Sequence, residues 1–152
     1  MIKINVIIKD KNWLKYIKNP ETYLQRKIKK IQNDKFFRKK NYCFSLKLSD
    51  TKEVKFLNKK FRKKNKSTDI LSFPNQTKNK LKKLDALNSE IYLGDIIINL
   101  KKINISSKIS FYNHLNLLWI HGLVHLFGYE HKNFSSYKKM NNLEKKLLKK
   151  LN

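Results

Sequence analysis

Residues 108–131 read Lys108-Ile-Ser-Phe-Tyr-Asn-His114-Leu-Asn-Leu-Leu-Trp-Ile-His121-Gly122-Leu-Val-His125-Leu-Phe-Gly128-Tyr-Glu130-His131. Apolar side chains fall on most sides of this stretch, with Tyr112, Leu115, Trp119, Leu123 and Leu126 among those expected to pack. A helix that is apolar nearly all round is normally central to its domain. The stretch therefore predicts one long buried helix over about 108–127. Gly128 follows it, where a helix can stop in a left-handed turn.

Outward from that helix, alternation and capping signals define the remaining elements. Ile2, Ile4, Val6 and Ile8 alternate, which predicts a strand over 2–8. Asn19-Pro20-Glu21 opens a helix over 20–33, with Leu24, Ile28 and Ile31 at helical spacing. Tyr42, Phe44, Leu46 and Leu48 mark a second strand. Asp50-Thr51-Lys52-Glu53 has the form of a capping box, and Val54, Leu57 and Phe61 make the buried stripe of the helix behind it. Residues 69–73 read as a short strand ended by Pro74. Residues 75–90 are polar and read as an exposed loop. The strand at 91–98 contains Ile96-Ile97-Ile98, a run that predicts burial on both faces. A helical stretch near 99–104 comes next, and a last helix over 134–151 turns Phe134, Tyr137, Met140, Leu143 and Leu147 inward. No repeat and no linker interrupts the chain. The expected fold is α+β: a single domain over 1–152, a mostly mixed four-stranded sheet packed with about five helices, and a histidine pair on the central buried helix.

That pair is His121 and His125. On a helix they lie on one face, about 40° apart around the axis and about 6 Å apart along it. After Gly128 the chain can double back and bring His131 to the same point. Three imidazoles with an open fourth position are the pattern of a catalytic zinc site, one ion per chain, not of a structural one. His114 lies on nearly the same face but about 10.5 Å up the axis, too far to ligate the same ion. It reads as a cleft-wall or second-shell residue.

Charge and composition narrow the partners. The chain has 36 basic and 11 acidic side chains and a formal charge of +25. A field of that size favours a polyanion, and nucleic acid is the first candidate. A strongly AT-biased genome would also enrich Lys, Asn, Ile, Phe and Tyr, so part of the charge is explained without a ligand. In a chain with only three glycines, Gly94, Gly122 and Gly128 should stand where backbone geometry demands them. Arg26, Arg38 and Arg62 are the arginines among many lysines, which points to their planar fork for phosphate. No run of about 20 apolar residues predicts a membrane span. The single cysteine, Cys43, excludes an intrachain disulfide, and the first residues lack a signal-peptide layout. These features predict a cytoplasmic protein with no membrane partner.

The trio matches the spacing of the metalloprotease motif His-Glu-x-x-His-x-x-Gly-x-x-His, except that Gly122 stands where that motif has its general-base Glu. Peptide hydrolysis through that glutamate is thereby excluded. The segment His121-Gly122-x-x-His125-Leu126-x-Gly128-Tyr129-x-His131 resembles the signature of the YbeY family, the endoribonucleases of bacterial ribosomal RNA maturation. Leu57-Asn58 with Phe61-Arg62, Thr68-Asp69-Ile70-Leu71-Ser72-Phe73-Pro74, and Leu93-Gly94-Asp95-Ile96 resemble three further family segments, in order. Glu130 stands where the family usually has Asp. The resemblance covers about residues 40–145. It implies a zinc-dependent, single-strand-specific endoribonuclease that processes the 3′ end of small-subunit 16S ribosomal RNA and serves ribosome quality control. Its expected partners are ribosomal RNA and the small ribosomal subunit or its assembly factors. His121, His125 and His131 would hold the zinc, and Arg62 would face it across the cleft and bind phosphate. Glu130 could orient a histidine or accept a proton. Two other readings stay open on the residues alone: an RNA- or ribosome-binding assembly factor with a chiefly structural metal, and a metallohydrolase of another substrate.

Overall fold

The computed structural model describes residues 1–37, 40–84 and 89–152. The alternating segments form β1 (Ile2–Ile8), β2 (Tyr42–Ser49), β3 (Ile70–Pro74) and β4 (Ile91–Asn99), in the sheet order β1-β2-β4-β3. β1 and β4 both run parallel to β2, while β3 runs antiparallel to β4 and forms an edge. The sheet is thus mixed and four-stranded, as the sequence predicts. A parallel pair needs a crossover, and α1 (Pro20–Ile31) supplies it between β1 and β2.

The two faces of the sheet are covered differently. Ile96 and Ile98 belong to the main core with α1 and α4 (Lys108–Leu126), whereas Ile97 joins Leu71 and Val54 in a separate small cluster. Successive strand residues point to opposite faces, so α2 (Thr51–Arg62), which carries Val54, lies on the other side from α4. α4 is buried along nearly its whole length, with Leu115, Trp119, Ile120, Leu123, Val124 and Leu126 inaccessible to solvent. α5 (Phe134–Lys149) packs against it.

Several expectations need correction. Phe61, expected in the buried stripe of α2, is 58% exposed. It sits in the last turn, with its ring against Phe73 of β3 at 5.4 Å and otherwise facing an open groove. Phe134 and Tyr137, expected in the core, are also exposed; only Met140 and Leu147 of α5 are fully buried. The polar segment 75–90 contains a short helix, α3 (Lys78–Lys83), held to the core by buried Leu81. The helical stretch near 99–104 is a tight 3-10 turn, Leu100–Lys102. At 50–53 half of the capping box forms: Asp50 accepts from the Glu53 N–H at 2.8 Å, but the Glu53 carboxylate turns to Ser49 Oγ and to Lys47 Nζ at 2.9 Å. Arg38 and positions 85–88 of the expected loop lie outside the described residues.

Candidate metal centre

The last two turns of α4 bring His121 and His125 together, with ring centroids 4.6 Å apart and Nε2 atoms 3.1 Å apart. Their other nitrogens are already engaged. His125 Nδ1 lies 2.8 Å from the Tyr129 carbonyl oxygen, and His121 Nδ1 lies 2.7 Å from Glu144 Oε1. A carbonyl oxygen only accepts, so His125 Nδ1 must carry the proton; the Glu144 carboxylate imposes the same tautomer on His121. When both rings are neutral, each aims an Nε2 lone pair at the other. Burial, with His121 second, pushes the His125 pKa down to about 4, so a bridging proton is disfavoured at neutral pH. Two facing lone pairs at this distance call for a cation.

The third ring arrives by a turn that depends on Gly128. Its φ is +80°, and the Gly128 N–H closes the helix on the His125 carbonyl at 2.8 Å. A Cβ there would meet Lys78 Cβ at 2.7 Å, so any other residue would combine backbone strain with a clash. His131 then stands over the pair, with centroids 5.8 Å from His121 and 5.1 Å from His125. One nitrogen from each of the three lies within 4.8 Å of the others. A tetrahedral ion held at about 2.1 Å wants nitrogens about 3.4 Å apart. His121 and His125, at 3.1 Å, are close to that spacing, and the exposed His131 has room to approach. The group can hold a metal ion, and imidazole donors suit a borderline divalent one.

The family described as endoribonuclease YbeY matches residues 7–152. The chain belongs to the YbeY family. Proteins named endoribonuclease YbeY include one from Pelagibacter ubique, 38% identical over 92% of this chain and 90% of its own length. Another, from Buchnera aphidicola, is 35% identical over 99% of this chain and 92% of its own. The solution structure of TM1509 from Thermotoga maritima has a TM-score of 0.53 at 24% identity, covering 99% of this chain and 89% of that one, and it supports the fold.

The other expected residues of this YbeY-family chain fall in different places. Gly122 faces the sheet: a Cβ there would meet Ile96 Cγ2 at 2.9 Å and Ile70 Cδ1 at 3.0 Å. A glutamate at 122 would be directed at the sheet and away from the three histidines, so a side chain here would force Ile96 and Ile70 to shift. Arg62 is exposed at the end of α2; its Nη2 donates to the Ser72 carbonyl at 3.1 Å, and its guanidinium lies 5.9 Å from the Phe73 ring centroid. Strand β3 supports both groups, since Ser72 holds Arg62 and Ile70 packs on Gly122 beside His121. Glu130 is exposed and pairs with Lys132 at 2.8 Å. Lys132 first, and His125 and His131 after it, hold its carboxyl below the usual carboxylate range. His114 lies in a separate surface groove with Asn116, Leu117 and Lys145, and its Nδ1 accepts the Asn104 N–H at 2.9 Å.

The residue that sequence reasoning missed is Glu144. It reaches His121 from α5, 23 positions away, and its side chain is only 13% exposed. One signal was available: Glu144 is the sole acid in a helix rich in lysine.

Proposed function

We propose that this chain is a zinc-dependent, single-strand-specific endoribonuclease. It matures the 3′ end of small-subunit 16S ribosomal RNA in the cytoplasm and contributes to ribosome quality control. The observation that carries this reading is the outward locking of two Nδ1 atoms, which leaves imidazole lone pairs converging on one point with an open side. His121, His125 and His131 hold the ion in a single domain spanning residues 1–152. A divalent cation bound there supplies Lewis acidity at a phosphoryl oxygen and acidifies water.

The chain's own residues do the rest. Glu144 and the Tyr129 carbonyl fix the two rings so that no reorientation is needed when substrate arrives. Arg62 uses one donor to fasten itself to β3 and keeps others for a phosphate, where charge builds during phosphodiester cleavage. Glu144 is committed to His121, so Glu130, at the exposed rim and paired with Lys132, is the carboxylate nearest in sequence that could accept a proton once it leaves that pair. The +25 charge draws RNA to the surface. No helix among the described residues is long and apolar enough to cross a membrane. The small ribosomal subunit or its assembly factors are the expected partners.

The test joins elemental analysis to an assay on precursor ribosomal RNA. The expected outcome is one zinc per chain, cleavage abolished by chelator and restored by zinc, and loss of cutting but not of RNA binding in His121→Ala. Wild-type protein carrying a full complement of zinc that leaves precursor RNA intact would overturn the reading.

A further inference from the structure

α2 covers the sheet face that carries Leu71 and Ile97, and beside that helix lies a groove of about 480 Å³. Leu57 and Phe61 form one wall and Ile7 the other, with Phe73, Ile97 and the Asp95 carboxylate also lining it. Phe61 and Phe56 are 58% and 60% exposed, an unusual outlay of aromatic surface on one helix. Phe61 meets Phe73 edge to face at 5.4 Å, which leaves ring surface open.

Cations are interleaved with these rings. Lys60 Nζ lies 5.3 Å from the Phe61 centroid and 5.8 Å from the Phe56 centroid, and the Arg62 guanidinium lies over Phe73. α2 carries Lys52, Lys55, Lys59, Lys60 and Arg62 against a single acid, Glu53. Glu53 is already paired with Lys47. An apolar groove rimmed in this way complements an anionic chain bearing flat rings.

We propose that this groove is a nucleobase-stacking subsite for single-stranded RNA, an inference that rests on the RNA reading above. One base lies on Phe61, with Asp95 accepting an N–H from its edge. The flanking phosphate follows Lys60, and Arg62, fastened at the β3 edge, takes the phosphate that leads on towards the histidines. The groove and the metal centre lie on opposite faces of the sheet, and β3 is the edge between them, with Arg62 fastened to it through Ser72. RNA seated here rounds that edge to reach the histidines. A paired base would have to unpair and unstack to enter the groove, and that cost gives a physical reason to prefer single strands.

The test is binding by fluorescence anisotropy, with chelator-treated protein that cannot cut and a labelled, unstructured RNA of ~12 nucleotides. Phe61→Ala is expected to weaken binding roughly 5- to 150-fold at fixed salt, the range for one lost base–aromatic stack. Its salt dependence stays that of wild type, because no phosphate contact is removed. Phe61→Trp retains binding, and Ile109→Ala, at a residue 74% exposed on another helix, leaves it unchanged. Circular dichroism confirms that each variant folds. Wild-type affinity in Phe61→Ala overturns the subsite, as does an unchanged RNA affinity accompanied by lost binding of an acidic amphipathic peptide. Failure of the wild type itself to bind single-stranded RNA overturns the RNA reading along with it, a result distinct from the other two.

Discussion

His121 and His125 are held in a way that His131 is not. The first two project from a buried helix, and an oxygen acceptor fixes the outer nitrogen of each. His131 is exposed, three residues past a glycine turn, and its ring stacks loosely over His121. Two of the three rings are therefore preorganised and the third is delivered by a turn. Preorganised donors give a site its affinity because little rotamer freedom is lost on binding.

The most severe way to break this contrast is to remove a preorganised ring. His125→Ala should lower metal affinity by well over the roughly 10- to 100-fold typical of losing an outer partner. His131→Ala should cost less, because the i, i+4 pair survives. Competition titration against a chromophoric chelator measures both constants. Equal losses in the two variants would show that the three rings are held alike.

Next in size is Glu144. Glu144→Ala frees His121 to rotate and to change tautomer, and should weaken metal binding about 10- to 100-fold without unfolding the chain. Glu144→Gln keeps an acceptor oxygen near Nδ1 and should recover part of that loss. The same titration reads it. A Glu144→Ala variant with wild-type affinity would mean that the bond to Nδ1 merely satisfies a half-buried carboxylate.

What the sequence made legible follows the range of each interaction. The trio and its turn fall within eleven residues, where helical geometry alone fixes what can meet. Strands β1 and β2 announce themselves by alternation, again a local signal. Glu144 is invisible to any such rule, because its approach to His121 depends on how α5 docks on α4. The aromatic errors have the same origin. Phe61, Phe134 and Tyr137 have core-like spacing, but spacing says only that residues share a face. Phe61 meets only Phe73 among the aromatic rings and lines an open groove, and Phe134 begins α5 at the exposed end. Arg62 was found through motif resemblance, and its fastening to Ser72 came only from the fold.

Asp34 tests how far the support of the rigid pair extends. It is buried between the two arms that steady the pair. Its carboxylate accepts the Phe36 N–H at 2.9 Å, and Phe36 packs on Tyr129, whose carbonyl holds His125. The same carboxylate takes Lys146 at 2.7 Å and Lys150 at 2.8 Å, anchoring the helix that carries Glu144. Burial alone would raise its pKa, but the bonds from Lys146, Lys150 and the Phe36 N–H outweigh it and hold the group well below the usual carboxylate range. A folded-state pKa below the unfolded one, near 3.8, stabilises the protein fully at higher pH. That stability drains away as pH falls below about 4 towards the depressed value. The lysines are 51% and 43% exposed, so water screens both pairs and each contributes under about 1 kcal/mol. Asp34→Asn should therefore cost about 1–2 kcal/mol at pH 7, and the gap from wild type should narrow under acid. Urea unfolding at neutral and acid pH measures it. Metal affinity should fall by less than in Glu144→Ala, since Asp34 acts on the rings only through the elements that hold them. A gap that stays constant across pH would mean that the buried charge contributes nothing and that Asp34 serves by shape alone.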